Sequence, residues 1–242
     1  MSRSQQRKQR KPPSRGKVVV SWLFPSDVSG LFTVSLANLL GYDAHHKRRI
    51  IDGGGLIPIT SGPNLSTARN GQARQFLEDQ TAEWLLIVDS DMTFDPDSVD
   101  ALIAEADPVK APIVGGLCFG KTDTRDELLY WPTIYRYDSE LRAQRLTEWP
   151  ENTMLQVSAT GTAFLLIHRT VLETMQAKFK DRAPWVWFES LLFDGREFSE
   201  DHTFCLRAQQ CGFPIHVHTG VEIGHVKREQ ITLQRAMKWN AI

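Results

Sequence analysis

Trp84-Leu85-Leu86-Ile87-Val88-Asp89-Ser90-Asp91 is the stretch on which the fold turns. Its apolar residues run straight into two carboxylates separated by one small residue. A short apolar run without alternation is the mark of a strand covered on both faces, as in a parallel sheet under helices. Side chains two apart on a strand share a face, so Asp89 and Asp91 aim the same way where strand geometry persists. The carboxyl end of such a strand is where open α/β sheets bind ligands. Two hard oxygen donors there suit Mg²⁺ or Mn²⁺ bridging to phosphate oxygens. Alternatively, Asp89 caps the next helix and Asp91 sits in a solvated turn.

Working back toward the amino terminus, Val18-Val19-Val20-Ser21-Trp22-Leu23-Phe24 reads as a first buried strand ended by Pro25-Ser26-Asp27. Apolar residues at helical spacing follow from Val28 to Leu40, with Gly41 placed to stop the helix. Asp27 either meets a ligand at the strand's end or caps that helix. Ile50-Ile51 is a candidate short strand and Gly53-Gly54-Gly55 a flexible loop; the triple Gly lacks the spacing of a dinucleotide or P-loop fingerprint. A second helix is expected over residues 64–80. Arg69 lies near its start, where the macrodipole disfavours a cation. That mismatch suggests a base, ribose or phosphate contact for Arg69.

Working forward, residues 98–106 read as a helix and 111–118 as a buried strand. Residues 121–156 are rich in charge and aromatics, and Thr133-Ile134-Tyr135-Arg136-Tyr137 alternates as in an antiparallel hairpin. Gly161 precedes another apolar strand and marks either a close ligand approach or a bulge. Ser199-Glu200-Asp201 opens a helix that ends at Gly212, and acids there complement the helix dipole. A carboxylate in that position is also well held for general-base work. His216 and His218 share a strand face, and His225 closes the following apolar stretch. Strand and helix alternate throughout, the order of an α/β sheet.

The totals fit a soluble globular chain: 242 residues, 41% hydrophobic and 24% charged. Net charge is -1, yet the first 17 residues carry seven Lys/Arg and no acid, leaving 21 basic against 29 acidic residues beyond them. Residues 1–16 read as a disordered basic tail, a solvated segment or a contact for nucleic acid or an acidic surface. The acidic body argues against a broad nucleic-acid footprint. Cys118, Cys205 and Cys211 form no disulfide or C-x-x-C pattern, no apolar run reaches membrane-span length, and a cytoplasmic protein is the expectation.

Taken together, the βαβα amino half ending in Asp89-Ser90-Asp91, the Gly161 segment, Glu200-Asp201 and His225 resemble the GT-A glycosyltransferases, especially the family 2-like nucleotide-diphospho-sugar transferases. The resemblance covers residues 17–226, with 227–242 left as a helical or flexible extension. It implies an α/β, Rossmann-like mixed sheet flanked by helices, with residues 121–156 as an antiparallel, aromatic subregion facing the acceptor. It further implies that Asp89-Ser90-Asp91 is a DxD motif, with Asp91 a metal ligand, Asp89 meeting ribose or metal, and His225 completing the metal site. Ser66-Thr67-Ala68-Arg69-Asn70 looks like the family's nucleotide-pocket segment, and Pro25 and Asp27 fall where the base would lie. Asp201, with Glu200 beside it, resembles the catalytic base of inverting members; a retaining transfer, as in some relatives with a similar histidine, requires no such base. The implied cofactor is Mn²⁺ or Mg²⁺, mixed oxygen and imidazole ligation favouring Mn²⁺. The implied donor is a UDP- or GDP-linked sugar. The acceptor (protein, glycan or nucleic-acid base) stays open. Two other readings are a nucleotidyltransferase or pyrophosphorylase, whose Gly-rich basic loop is missing after the first strand, and a non-catalytic nucleic-acid-binding module led by the basic arm.

Overall fold

A computed structural model describes residues 14–123, 128–193 and 195–227. The expected tail therefore lies outside the described residues up to residue 13, as does the expected extension from residue 228 onward. In chain order the amino half comprises β1 (Ser14–Phe24), α1 (Gly30–His45), β2 (Gly55–Thr60), α2 (Leu65–Asp79), β3 (Ala82–Asp89), β4 (Met92–Thr93) and α3 (Ser98–Glu105). The middle comprises β5 (Ile113–Asp123), β6 (Leu128–Pro132), β7 (Ile134–Tyr137), β8 (Ala143–Arg145), β9 (Met154–Val157), β10 (Ala159–Thr160) and β11 (Phe164–His168). The remainder is α4 (Arg169–Lys178), β12 (Leu191–Phe193), β13 (Arg196–Phe198), α5 (Glu200–Gln210) and β14 (Ile215–His225).

The main sheet runs β2-β1-β3-β11-β5-β14-β4, with β6 on β5 and β9 on β14. β1 is parallel to both β2 and β3, β11 is antiparallel to β3 and β5, and β14 is parallel to β5. The sheet is therefore mixed. Leu85 to Val88 of β3 are fully buried, and their alternation divides them between two cores. Leu85 and Ile87 pack with Phe76 and Leu77 of α2, Leu172 and Met175 of α4 and Phe204 of α5. Leu86 and Val88 pack with Phe32 and Leu39 of α1 and Val99 and Leu102 of α3. Burying such a side chain is worth about 1.5–3 kcal/mol, so a central strand with two apolar faces anchors both layers.

β14 carries an irregularity: His218 pairs with Gly116 while Glu222 pairs with the next residue of β5, Leu117. The extra residues belong to β14, and beyond them the strand's tip turns to β4, where His225 lies opposite Met92. A separate three-stranded antiparallel sheet, β10-β7-β8, holds Tyr135 and Tyr137 of the aromatic subregion, and Arg145 of β8 places its guanidinium 4.4 Å from the Trp131 ring on β6.

Several expectations are corrected. Gly41 does not stop α1, which continues to His45 because Leu39 and Asp43 of the same face stay buried on either side of it. Ile50-Ile51 is a turn, held by the Asp43 carboxylate accepting from the amides of Arg49, Ile50 and Ile51. The triple Gly is a packing device: Gly55 opens β2, and a Cβ on Gly54 would lie 2.1 Å from the Val18 carbonyl oxygen. β1 begins at Ser14, inside the segment read as tail. No described helix is long and apolar enough to cross a membrane.

Candidate functional site at the carboxyl end of the central strand

β3 ends at Asp89, and Ser90-Asp91 form a turn into β4. The two carboxylates consequently leave the shared strand face expected of them and take different partners. Asp89 keeps the parity of Leu85 and Ile87, which aims it at α2, and there it pairs with the Arg69 guanidinium. Arg69 is 1% exposed and also donates to Gln72 Oε1 at 3.3 Å. Gln72 in turn donates to Ser21 Oγ at 2.9 Å, and Ser21 to the Ile57 carbonyl at 2.8 Å. A buried polar chain thus runs under the sheet and terminates on Asp89. Burial raises the Asp89 carboxyl, Arg69 opposes that shift, and the charges of Asp201 and Asp91 reinforce it.

Asp91 meets the far end of the chain. Its Oδ2 lies 3.1 Å from His225 Nε2 and 2.8 Å from Lys227 Nζ, and its carbonyl accepts from the Val226 amide at 2.8 Å. Burial works against ionisation here, but the His225 and Lys227 hydrogen bonds prevail and hold the carboxyl at about 2. His225 Nδ1 lies 2.8 Å from the Phe119 carbonyl oxygen, which can only accept. The chain carbonyl therefore holds Nδ1–H, which leaves Nε2 as the ring atom facing the Asp91 carboxylate. That donor set, one carboxylate and one backbone-oriented imidazole, fits a divalent ion. Among the described residues no three His, Cys, Asp or Glu side chains converge on one point, so further ligands would come from substrate or water.

Asp89, Ser90 and Asp91 line a cleft of about 650 Å³, together with Pro25, Asp27, Ser29, Leu65 and Lys227. Helix α1 starts behind Ser29, so Asp27 stands at the cleft and not at the cap position. Across from this group, α5 begins with Ser199 as N-cap, its side chain accepting from the His202 amide. Asp201 in the first turn accepts a 2.5 Å hydrogen bond from Thr162, and Gly161 lies beside its other oxygen. Glu200 is raised by burial and then by the Asp201 charge. Next to it, His202 Nδ1 is 2.7 Å from the Tyr137 hydroxyl, and Tyr135 stands 4.9 Å from the same ring. The aromatic subregion therefore abuts the start of α5.

Two sequence expectations change here. Arg69 does not reach into the cleft; its mismatch with the macrodipole is answered by Asp89. Asn70 is 1% exposed, donates to the Ser66 and Phe188 carbonyls and accepts from the Trp187 amide, so it clasps residues 187–188 to α2 and does not line the pocket. Thr162, Lys227 and the Phe119 carbonyl were not expected at the site. A Lys two residues beyond His225 was the available signal for one of them.

No family model and no curated protein matches the chain. Solved structures do. The crystal structure of A197 from STIV has a TM-score of 0.52 at 16% identity and covers 91% of each chain. The crystal structure of GalNAc-T7 with UDP, GalNAc and Mn²⁺ has a TM-score of 0.56 at 12% identity, covering 88% of this chain and 44% of that one. At such identities the shared property is the backbone arrangement. The protein has a GT-A-like fold, a mixed Rossmann-type sheet between helical layers.

Proposed function

We propose that the protein is a metal-dependent glycosyltransferase that moves a sugar from a nucleoside-diphosphate donor to an acceptor hydroxyl. The observation that carries this reading is the meeting of Asp91 with His225, 134 residues apart, at a cleft bordered by Asp89, Ser90, Pro25 and Asp27. The cleft has the size of a small-molecule site. The GT-A-like fold, shared with a structure determined with UDP, GalNAc and Mn²⁺, supports the same reading. The donor class is a UDP- or GDP-linked sugar.

Asp91 and His225 would hold the ion, Mn²⁺ ahead of Mg²⁺ because one ligand is imidazole. Bound there, it would neutralise charge developing on the leaving diphosphate. The chain's own residues supply the rest. Arg69 keeps Asp89 in place at the cleft. Pro25 and Asp27 bound the nucleoside end. Thr162 fixes one oxygen of Asp201 and leaves the other near Gly161 and the Thr133 side chain, where it is available to an acceptor hydroxyl. Asp201 then accepts that hydroxyl's proton in an inverting transfer. Glu200 adds negative potential next to it. Tyr135, Tyr137 and His202 form the acceptor-facing wall.

The test is binding of UDP-, GDP-, CMP- and dTDP-sugars with and without Mn²⁺, using wild type, Asp91→Ala and Asp201→Asn. One donor class should bind at least about 10-fold more tightly with metal, and Asp91→Ala should remove that enhancement. Asp201→Asn should bind donor normally and transfer at least about 100-fold more slowly. Wild type binding no donor in Mn²⁺ overturns the reading.

A further inference from the structure

Lys227 occupies a telling position. Its ammonium sits on Asp91 Oδ2, the same oxygen that faces His225 Nε2. The backbone just before it is docked by the Val226 amide on the Asp91 carbonyl, so the side chain starts from a fixed point. Its side chain is 41% exposed, and it lines the cleft. The other charged residues lining that cleft are Asp27, Asp89 and Asp91; among the described lining residues Lys227 carries the only positive charge. Arg69 contributes nothing to an incoming anion, being buried against Asp89 and Gln72.

A diphosphate entering between three carboxylates needs a cation, and a divalent ion approaching Asp91 meets an ammonium already in contact. One residue resolves both conflicts if it moves from one anion to the other. We propose that Lys227 is an exchangeable counter-cation: it sits on Asp91 and opposes divalent-ion binding until a nucleoside diphosphate arrives, then shifts to the phosphate oxygens and frees Asp91 for the ion. The move is inexpensive, because a half-exposed Lys–Asp pair is weak. A lysine suits it, being a point charge on a flexible four-carbon stem. The two-ligand protein set at Asp91 and His225 fits the same order of events, since nucleotide must complete the coordination. By linkage, metal and nucleotide then strengthen each other's binding by one common factor. This inference rests on the glycosyltransferase reading above.

The experiment titrates Mn²⁺ into the full chain, following free Mn²⁺ by electron paramagnetic resonance, with and without UDP or GDP. Wild type, Lys227→Gln, Lys227→Arg and Asp91→Ala are compared. Wild type should bind Mn²⁺ weakly alone and at least about 10-fold more tightly with the matching nucleotide. Lys227→Gln should bind Mn²⁺ alone about 10-fold more tightly than wild type and lose most of the nucleotide enhancement. Lys227→Arg should behave like wild type. Equal Mn²⁺ affinity of wild type and Lys227→Gln without nucleotide, with Asp91→Ala abolishing it, reduces Lys227 to a surface ion pair and leaves the glycosyltransferase reading intact. Failure of both wild type and Lys227→Gln to bind Mn²⁺, with or without either nucleotide, removes that reading and this inference together.

Discussion

Replacing Arg69 by Met leaves the Asp89 carboxylate at the cleft wall without its counter-charge and breaks the polar chain to Gln72 and Ser21. Removing one partner of a buried pair typically costs about 3–5 kcal/mol. Asp89 retains some solvent access, so a loss near about 3 kcal/mol in urea unfolding is expected, together with weakened donor binding. Thr162→Val removes the hydroxyl that orients Asp201 and keeps the shape of a residue that is 1% exposed. Transfer should slow about 10-fold while donor affinity stays unchanged. Steady-state kinetics separates the two, since a merely structural role for Thr162 would lower stability and spare the turnover of the folded fraction.

At the scale of elements, α1 offers a gain. Gly41 lies inside the helix, and a Cβ there would meet nothing within 4 Å. Gly41→Ala should therefore stabilise the protein by about 0.5–1 kcal/mol, seen as a rise in the thermal midpoint. Asp43→Ala, in the last turn of the helix, strands three amides of the following turn and should cost about 2–4 kcal/mol. These two residues also show where sequence reading stops. The β3 run, the α2 start at Asn64 and the α5 start at Ser199 depend on local patterns, and those are written in neighbouring residues. Gly41 obeys a burial pattern set by what lies under the helix, which outweighs its own propensity. Asn70 clasps residues 117 and 118 positions away, Arg69 pairs 20 positions away and Asp91 pairs 134 positions away. No local pattern encodes such partners. The resemblance placed Asp91 with His225, but nothing in the residues around Arg69 distinguished a buried counter-ion from a ligand contact.

For the whole molecule, the buried histidines should make mild acid destabilising, against the opposite pull of the raised Asp89 and Glu200 carboxyls. Burial lowers the imidazoles of His168, His202 and His216 below their usual value near 6.5, although Glu83 partly offsets this at His168 and Asp201 does so at His202. The unfolded chain then binds more protons than the folded one as pH drops through that value. Stability is complete above pH 6.5 and is lost as pH falls toward the lowered folded values. The urea midpoint should decline from pH 7 to pH 5, and less steeply in His168→Asn. The same long-range assembly gives the irregularity in β14 a meaning of its own. Between His218 and Glu222 the strand holds residues that β5 does not match, and the tip beyond them sets which side chain faces Asp91. Strand side chains have a period of two, so a one-residue slip exchanges faces. Counted as genetic lesions, the in-frame loss of one codon there would present Val226 in place of His225, whereas the loss of two codons would keep the phase but present Lys227. Even a gap that keeps the faces costs the site its imidazole, so the length of this stretch is as constrained as its residues.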